Sequence, residues 1–354
     1  MLEATAAITF AVPGALSQRT GGYGYDRRII AELRAANRPV YVRELKGRFP
    51  ICDDLAKNSA TEAVSAVPEG SVLVIDGLAL PAFVSAFEAE SSCVKTIALI
   101  HHPLAMETGL SLSDADHLSE IEHALLYKVN GIVVTSPATA RNLVKRGVAP
   151  NRVTVVCPGT DPAQLAKGSM RGPLQLLCVG SLIPRKGHLA LIEALAGCVH
   201  LLWHLCCVGS LCRDQETTTK VMALLQRLEL TDRVTLAGEM DDAALEAAYA
   251  AADIFVLASE LEGFGMAFAE ALARGLPIVG SGAGAVRETV PETAGKIVPV
   301  GDAVVLREAL IRVIEDSNYR RQLAEGSRAA GRVLPDWPSA GRAFAHAIDA
   351  VAAL

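Results

Sequence analysis

Glu262-Gly263-Phe264-Gly265-Met266-Ala267-Phe268-Ala269-Glu270 decides how the rest of this chain is read. Just upstream, Asp253-Ile254-Phe255-Val256-Leu257-Ala258-Ser259 is an apolar run bounded by polar residues, which predicts a short buried strand. Glu262 is then expected in the loop at that strand's carboxyl end. Glu270 is expected roughly two turns into the helix that the Ala-rich run begins. Open α/β sheets bind ligands at such strand ends. An ionised carboxylate only accepts hydrogen bonds, which suits it to pairs of hydroxyls. Two at this spacing could hold two separate diols, such as a ribose and a sugar ring. The spacing alone serves equally well for a helix-start charge at Glu262 and a solvated helix face at Glu270.

The same alternation of strand-like and helix-like segments runs from end to end, predicting an α/β protein with parallel sheets and crossover helices. Strand candidates are residues 8–12, 40–45, 72–75, 96–100, 131–135 and 152–157, then 174–179, 202–208, 233–236, 254–257, 277–279 and 296–298. Helical patterns lie between them, among them 25–36, 118–129, 189–195, 220–228, 243–250 and 266–274. The stretch 158–173, with Gly, Pro, Asp and Lys, reads as a linker. Two doubly wound domains facing across a cleft are expected, 1–165 and 170–334, with a helix at 338–354 closing the chain. A length of 354 residues suits two such cores.

With 51% hydrophobic and 20% charged residues, a packed globular chain is expected and a disordered one excluded. A formal net charge of −6 argues against a nucleic-acid partner. The eight cysteines (52, 93, 157, 178, 198, 206, 207 and 212) fall mostly in apolar runs, so buried free thiols in a reducing compartment are expected. No paired Cys-x-x-Cys or His-x-x-x-His spacing points to zinc, and no metal is expected. No basic segment precedes an apolar run at the N-terminus, and no apolar run approaches the ~20 residues of a membrane span. A soluble, cytoplasmic protein is expected, with peripheral membrane contact and oligomeric state left open.

Other loops at strand ends carry polar chemistry. Gly180-Ser181-Leu182-Ile183-Pro184-Arg185-Lys186-Gly187-His188 offers a forked guanidinium, an ammonium and helix-start N–H groups, a plausible diphosphate grip or an exposed basic turn. Arg19-Thr20-Gly21-Gly22-Tyr23-Gly24-Tyr25-Asp26 could let main chain approach a phosphate, or be a Gly-rich surface turn. Gly280-Ser281-Gly282-Ala283-Gly284 is similar. His101 and His102 follow the strand 96–100, where either could polarise a substrate or cap the strand, and Glu107 could partner one of them. His188 and His204 are read as structural. Neither half carries a full dinucleotide glycine fingerprint.

Taken in order, these motifs resemble the retaining glycosyltransferases of family 4, with the GT-B fold (glycosyl transferases group 1). The resemblance rests on the 262–270 stretch continued by Ala271-Leu272-Ala273, Gly275 and Pro277-Ile278-Val279, the loops Gly21-Gly22 and 180–187, and His101. Thr135-Ser136, Pro158-Gly159-Thr160-Asp161 and Asp336-Trp337 complete it. It implies two Rossmann-like domains and transfer of a sugar from a nucleoside diphosphate sugar (UDP or GDP) to an unidentified hydroxyl acceptor, without metal or other cofactor. It implies that Arg185 and Lys186 hold the diphosphate, with Gly21 and Gly22 touching it from the other side. Glu270 would bind ribose, and Glu262 with the N–H groups of Gly263, Phe264 and Gly265 the transferred sugar. His101 would lie near the reacting carbon. Family members usually have Arg where this chain has Ser181, so Arg185 is expected to supply that charge. A sugar-nucleotide epimerase of the same fold and a non-catalytic sugar-nucleotide-binding protein are the alternatives. Tyr23, Tyr25, Asp76 and residues 103–113 are candidates for acceptor contact.

Overall fold

Six apolar segments of the first half form one parallel sheet in the computed structural model, which describes residues 6–88, 94–107, 109–169 and 171–354. Cys93 and Thr108 lie outside the described residues. The chain divides into two units, 1–159 with 335–354, and 160–334.

In the first unit the strands are β1 (Ile8–Pro13), β2 (Val40–Leu45), β3 (Val72–Asp76), β4 (Lys95–Ile100), β5 (Gly131–Val134) and β6 (Val153–Val155). Their order is β2-β1-β3-β4-β5-β6, every pairing parallel. β1 and β3 are buried throughout, as the continuous apolar runs of a two-face-covered parallel sheet require. The order reverses between β1 and β3, which makes their carboxyl ends the switch point where a doubly wound sheet takes its ligand. The helix Gly21–Ala35 starts there, and Asp76 ends β3.

The last helix, Trp337–Ala352, belongs to this unit. Asp336 caps it by accepting from Ser339 N at 2.8 Å. Its apolar face stacks Phe344 on Phe10 at 5.8 Å and sets Trp337 edge-on to Tyr25. Arg38 forks onto Asp349 at 2.6 and 3.1 Å, fixing the register of the far end.

The second unit repeats the plan with β7 (Leu174–Val179), β8 (Trp203–Val208), β9 (Val234–Gly238), β10 (Ile254–Glu262), β11 (Ile278–Gly284) and β12 (Gly295–Val298). The order is β12-β11-β10-β7-β8-β9, all parallel, so its switch point lies between β7 and β10. The two sheets with flanking helices are those of the GT-B fold.

Two expectations need correcting here. β10 does not stop at residue 257. It slips register between Ala258 and Leu261 and pairs on to Glu262 opposite Gly284. Ser259 and Glu260 break both the apolar pattern and the register, but the strand resumes at Leu261, so Glu262 is the last strand residue and not part of a loop. The thiols are also less uniformly buried than their apolar surroundings suggest. Cys178, Cys198 and Cys207 are buried, Cys52, Cys157 and Cys206 partly so, and Cys212 is exposed. Consecutive β8 residues face opposite sides of the sheet, which separates Cys206 from Cys207, and Cys212 lies in the loop beyond. No helix among the described residues is long and apolar enough to cross a membrane.

Candidate active site

At the switch point of the second unit, β7 runs into the loop 180–187 and then the helix His188–Ala196. Gly187 turns the chain with φ +64°, and a Cβ there would stand 1.9 Å from the Ala258 carbonyl oxygen. Only glycine lets this loop press so closely on β10. The approach carries Lys186 to Glu262, with Nζ 2.6 Å from Oε1. Ser259 donates its hydroxyl to the same oxygen at 2.6 Å. Arg185 donates to the Leu261 carbonyl at 2.9 Å and stands 3.8 Å from Glu262 Oε2.

Glu262 is 6% exposed. Burial pushes its carboxyl up, but the Lys186 and Arg185 charges and the hydrogen bonds from Lys186 and Ser259 outweigh that and hold it below the usual range. The residues that sequence reasoning assigned separately to diphosphate and to sugar therefore form one charged cluster. Its arrangement was not visible beforehand, because Lys186 and Glu262 are 76 positions apart.

Beyond Glu262, Gly265 takes φ +91° and caps the helix Met266–Ala273. That helix start leaves main-chain N–H groups outside the intrahelical ladder, beside Gly263 and Phe264. Thr289 donates to the Phe264 carbonyl at 2.7 Å and pins this turn. Glu270 stands five residues past Gly265, about one and a half turns in and not two. It accepts from the Tyr249 hydroxyl at 2.8 Å, while Arg274 lies over the Tyr249 ring at 4.3 Å. Burial raises the Glu270 carboxyl against the pull of Tyr249 and Arg274. Neither Tyr249 nor Arg274 carries a motif that could have singled it out.

In the first unit, Gly21 and Gly22 are the opening residues of their helix. Gly22 lies against His101, where a Cβ would be 3.4 Å from Cδ2. His101 Nε2 stands 3.3 Å from both Asp26 Oδ1 and Asp76 Oδ2. Asp26 is wholly buried. Burial alone would lower the imidazole pKa, yet the Asp26 and Asp76 carboxylates facing Nε2 raise it to about 10. Asp26 is itself pushed up to about 7 by burial, with His101 pulling down and Asp76 adding to the rise. One ligand atom of each of the three lies within 4.8 Å of the others, the spacing of a cation site. The imidazolium supplies that positive charge itself.

His102 is set apart by its own contact with Glu107 at 3.0 Å. Tyr23 and Tyr25, expected among acceptor-contact loops, are core residues instead. Tyr23 donates to the Pro13 carbonyl and Tyr25 to Val156 O at 2.9 Å, and both side chains are buried. Asp76 is likewise taken up by His101 and by the Leu78 N–H at 2.7 Å. In the stretch 103–113, Leu104 is buried while Met106 and Leu112 are exposed.

Residues 160–330 match the family described as glycosyl transferases group 1. The chain is 29% identical over 268 residues to a D-inositol 3-phosphate glycosyltransferase of Salinispora tropica, covering 67% of this chain and 56% of that protein. A phosphatidyl-myo-inositol mannosyltransferase of Mycobacterium leprae is 32% identical over 159 residues, 44% of this chain and 40% of that one. The chain thus spans about half the length of these relatives. Among solved structures, the sucrose-phosphate synthase of Thermosynechococcus elongatus superposes with a TM-score of 0.83 at 22% identity, over 98% of this chain and 99% of that chain. HepE of Anabaena, solved with UDP and glucose, gives 0.78 at 19% identity over 97% and 99%.

Proposed function

We propose that the protein, whose residues 160–330 match the glycosyl transferases group 1, is a retaining, metal-independent glycosyltransferase of family 4. It moves a sugar from a UDP- or GDP-sugar to a hydroxyl acceptor. The observation that carries this reading is the cluster of Lys186, Arg185 and Glu262 where the second sheet reverses its strand order. Breaking a sugar–phosphate bond leaves negative charge on the diphosphate and positive charge on the ring. Preorganised cations at the leaving group stabilise that separation as it develops. Lys186 and Arg185 are the cations within reach, and an incoming diphosphate competes with Glu262 for them.

Glu262, released in part from Lys186, accepts from hydroxyls of the transferred sugar, aided by the N–H groups of Gly263, Phe264 and Gly265. Glu270, oriented by Tyr249, takes the ribose diol. Gly21 and Gly22 give their main chain to the phosphates, and His101 approaches the sugar as an imidazolium. A leaving phosphate oxygen takes the acceptor's proton, so no separate base is required on that face. The HepE structure was solved with UDP and glucose, a donor chemistry of this class.

Purified protein incubated with UDP-, GDP- and ADP-sugars tests the reading. Transfer to a hydroxyl acceptor, or slow donor hydrolysis without one, is expected, with the product anomer matching the donor. Absence of both binding and turnover across the panel overturns it.

A further inference from the structure

The second unit contains a group of metal-ligand side chains that the proposed transfer does not use. Cys178 in β7 and Cys207 in β8 are register partners on adjacent strands. His188 opens the helix that follows the loop 180–187. Cys178 and Cys207 are wholly buried and His188 is 1% exposed. One ligand atom from each lies within 4.8 Å of the other two. Cys178 Sγ stands 3.7 Å from His188 Nε2, while His188 Nδ1 is buried without a hydrogen-bond partner. Cys178 and Cys207 belong to a core cluster rich in leucine, isoleucine and valine.

We propose that Cys178, Cys207 and His188 form a buried site for a thiophilic divalent cation, zinc above all, which ties β7 to the start of the helix His188–Ala196. Zinc–sulfur and zinc–nitrogen bonds of about 2.3 and 2.0 Å at tetrahedral angles set ligand atoms roughly 3.6 Å apart, so the 3.7 Å contact needs almost no movement. Two thiolates, one neutral imidazole and one divalent cation sum to zero charge, which a dry core tolerates. A monovalent soft cation would leave a net negative charge there. Magnesium and calcium want oxygen ligands, and this set has none. Binding takes both sulfurs as thiolates, any proton the pair still holds passing to solvent, and leaves one tetrahedral position beyond these three ligands.

The Cys178 thiol is already held down to about 5. The neighbouring Cys207 side chain is the main cause, acting against burial and assisted by His188 and Lys186. Cys178 and His188 stand just before and just after the loop that bears Arg185 and Lys186. A cation joining them would fix both ends of that loop. The inference stands apart from the transferase reading, since the metal takes no part in the chemistry.

The reduced full chain, stripped of metal and also refolded with the cation present, is titrated with cobalt(II). A thiolate-to-cobalt charge-transfer band saturating at one equivalent and bleached by zinc is expected. Cys178→Ala and Cys207→Ala should lose it, while Cys212→Ala, which removes the exposed thiol, keeps it. X-ray absorption of the zinc-loaded wild type needs no variant and should show two sulfurs with an imidazole nitrogen. No stoichiometric band under either loading condition, a sulfur-free shell, or loss of the band in Cys212→Ala overturns the site.

Discussion

Lys186 Nζ lies 2.6 Å from Glu262 Oε1, although the two residues are 76 positions apart and come from different strand ends. With side chains 17% and 8% exposed, the pair is largely withdrawn from water. Removing one partner strands the other charge in the interior, at about 3–5 kcal/mol. Lys186→Ala should therefore lower stability in urea titrations by about that much and also cut turnover by about 10²–10³, as loss of a preorganised transition-state charge does. Lys186→Ala combined with Glu262→Gln should recover much of the stability but none of the turnover. Recovery of both in the double variant would show that the pair is structural only.

The His101 cluster gives a pH dependence with a definite sign. His101 is held up to about 10 in the fold against an ordinary 6.5. Its protonated form thus stabilises the fold fully below about pH 6.5, and that contribution is lost as pH rises through about 10. Asp26, raised to about 7 by burial, also keeps its proton better in the fold, so its ionisation weakens the fold in the same direction. Asp26→Asn removes one of the two carboxylates at 3.3 Å, and the His101 titration should move to lower pH. Ring-proton NMR of His101, followed from pH 5 to beyond the wild-type midpoint, reads this directly. An unmoved titration would mean Asp76 alone holds the imidazolium.

Tyr249 bears on nucleotide affinity through Glu270. Its hydroxyl donates at 2.8 Å to Oε2, and such a bond to a charged group contributes about 1.5–3 kcal/mol. Tyr249→Phe should weaken UDP or GDP binding roughly tenfold or more by calorimetry, because the carboxylate loses its orienting donor. The turnover number at saturating donor should change far less. A variant that binds nucleoside diphosphate at wild-type strength would remove Glu270 from the ribose assignment.

Much of the fold is legible because buried parallel strands are written as local apolar runs, and each of the twelve strands among the described residues overlaps one. The same locality hides contacts made across the sheet. Nothing near Asp26 in sequence marks it as more than one polar position of a helix, yet it faces His101 at 3.3 Å because the first turns of the helix 21–35 reach the residue that follows β4. Cys178, His188 and Cys207 are 10 and 19 positions apart, spacings that match no metal motif, and only strand pairing brings them together. The end of β10 was misplaced for a related reason. Polar residues at 259 and 260 interrupt the hydrophobic pattern while the main-chain ladder resumes past them.

Two glycines separate the demands of folding from those of binding. A Cβ on Gly187 would collide with the Ala258 carbonyl at 1.9 Å, and its φ of +64° is strained for any other residue. Gly187→Ala should lower the melting temperature sharply and remove activity with it, which by itself says nothing about ligands. A Cβ on Gly21 meets nothing within 4 Å. At the first turn of the helix 21–35, Gly21→Ala should leave stability unchanged or slightly raised, since alanine favours helix. If main chain at this turn approaches the donor phosphates, the added methyl group intrudes on the ligand alone. Donor KM should then rise severalfold while the melting temperature holds. Wild-type kinetics in Gly21→Ala would take the 21–22 turn out of the donor site and leave Lys186 and Arg185 as its phosphate contacts.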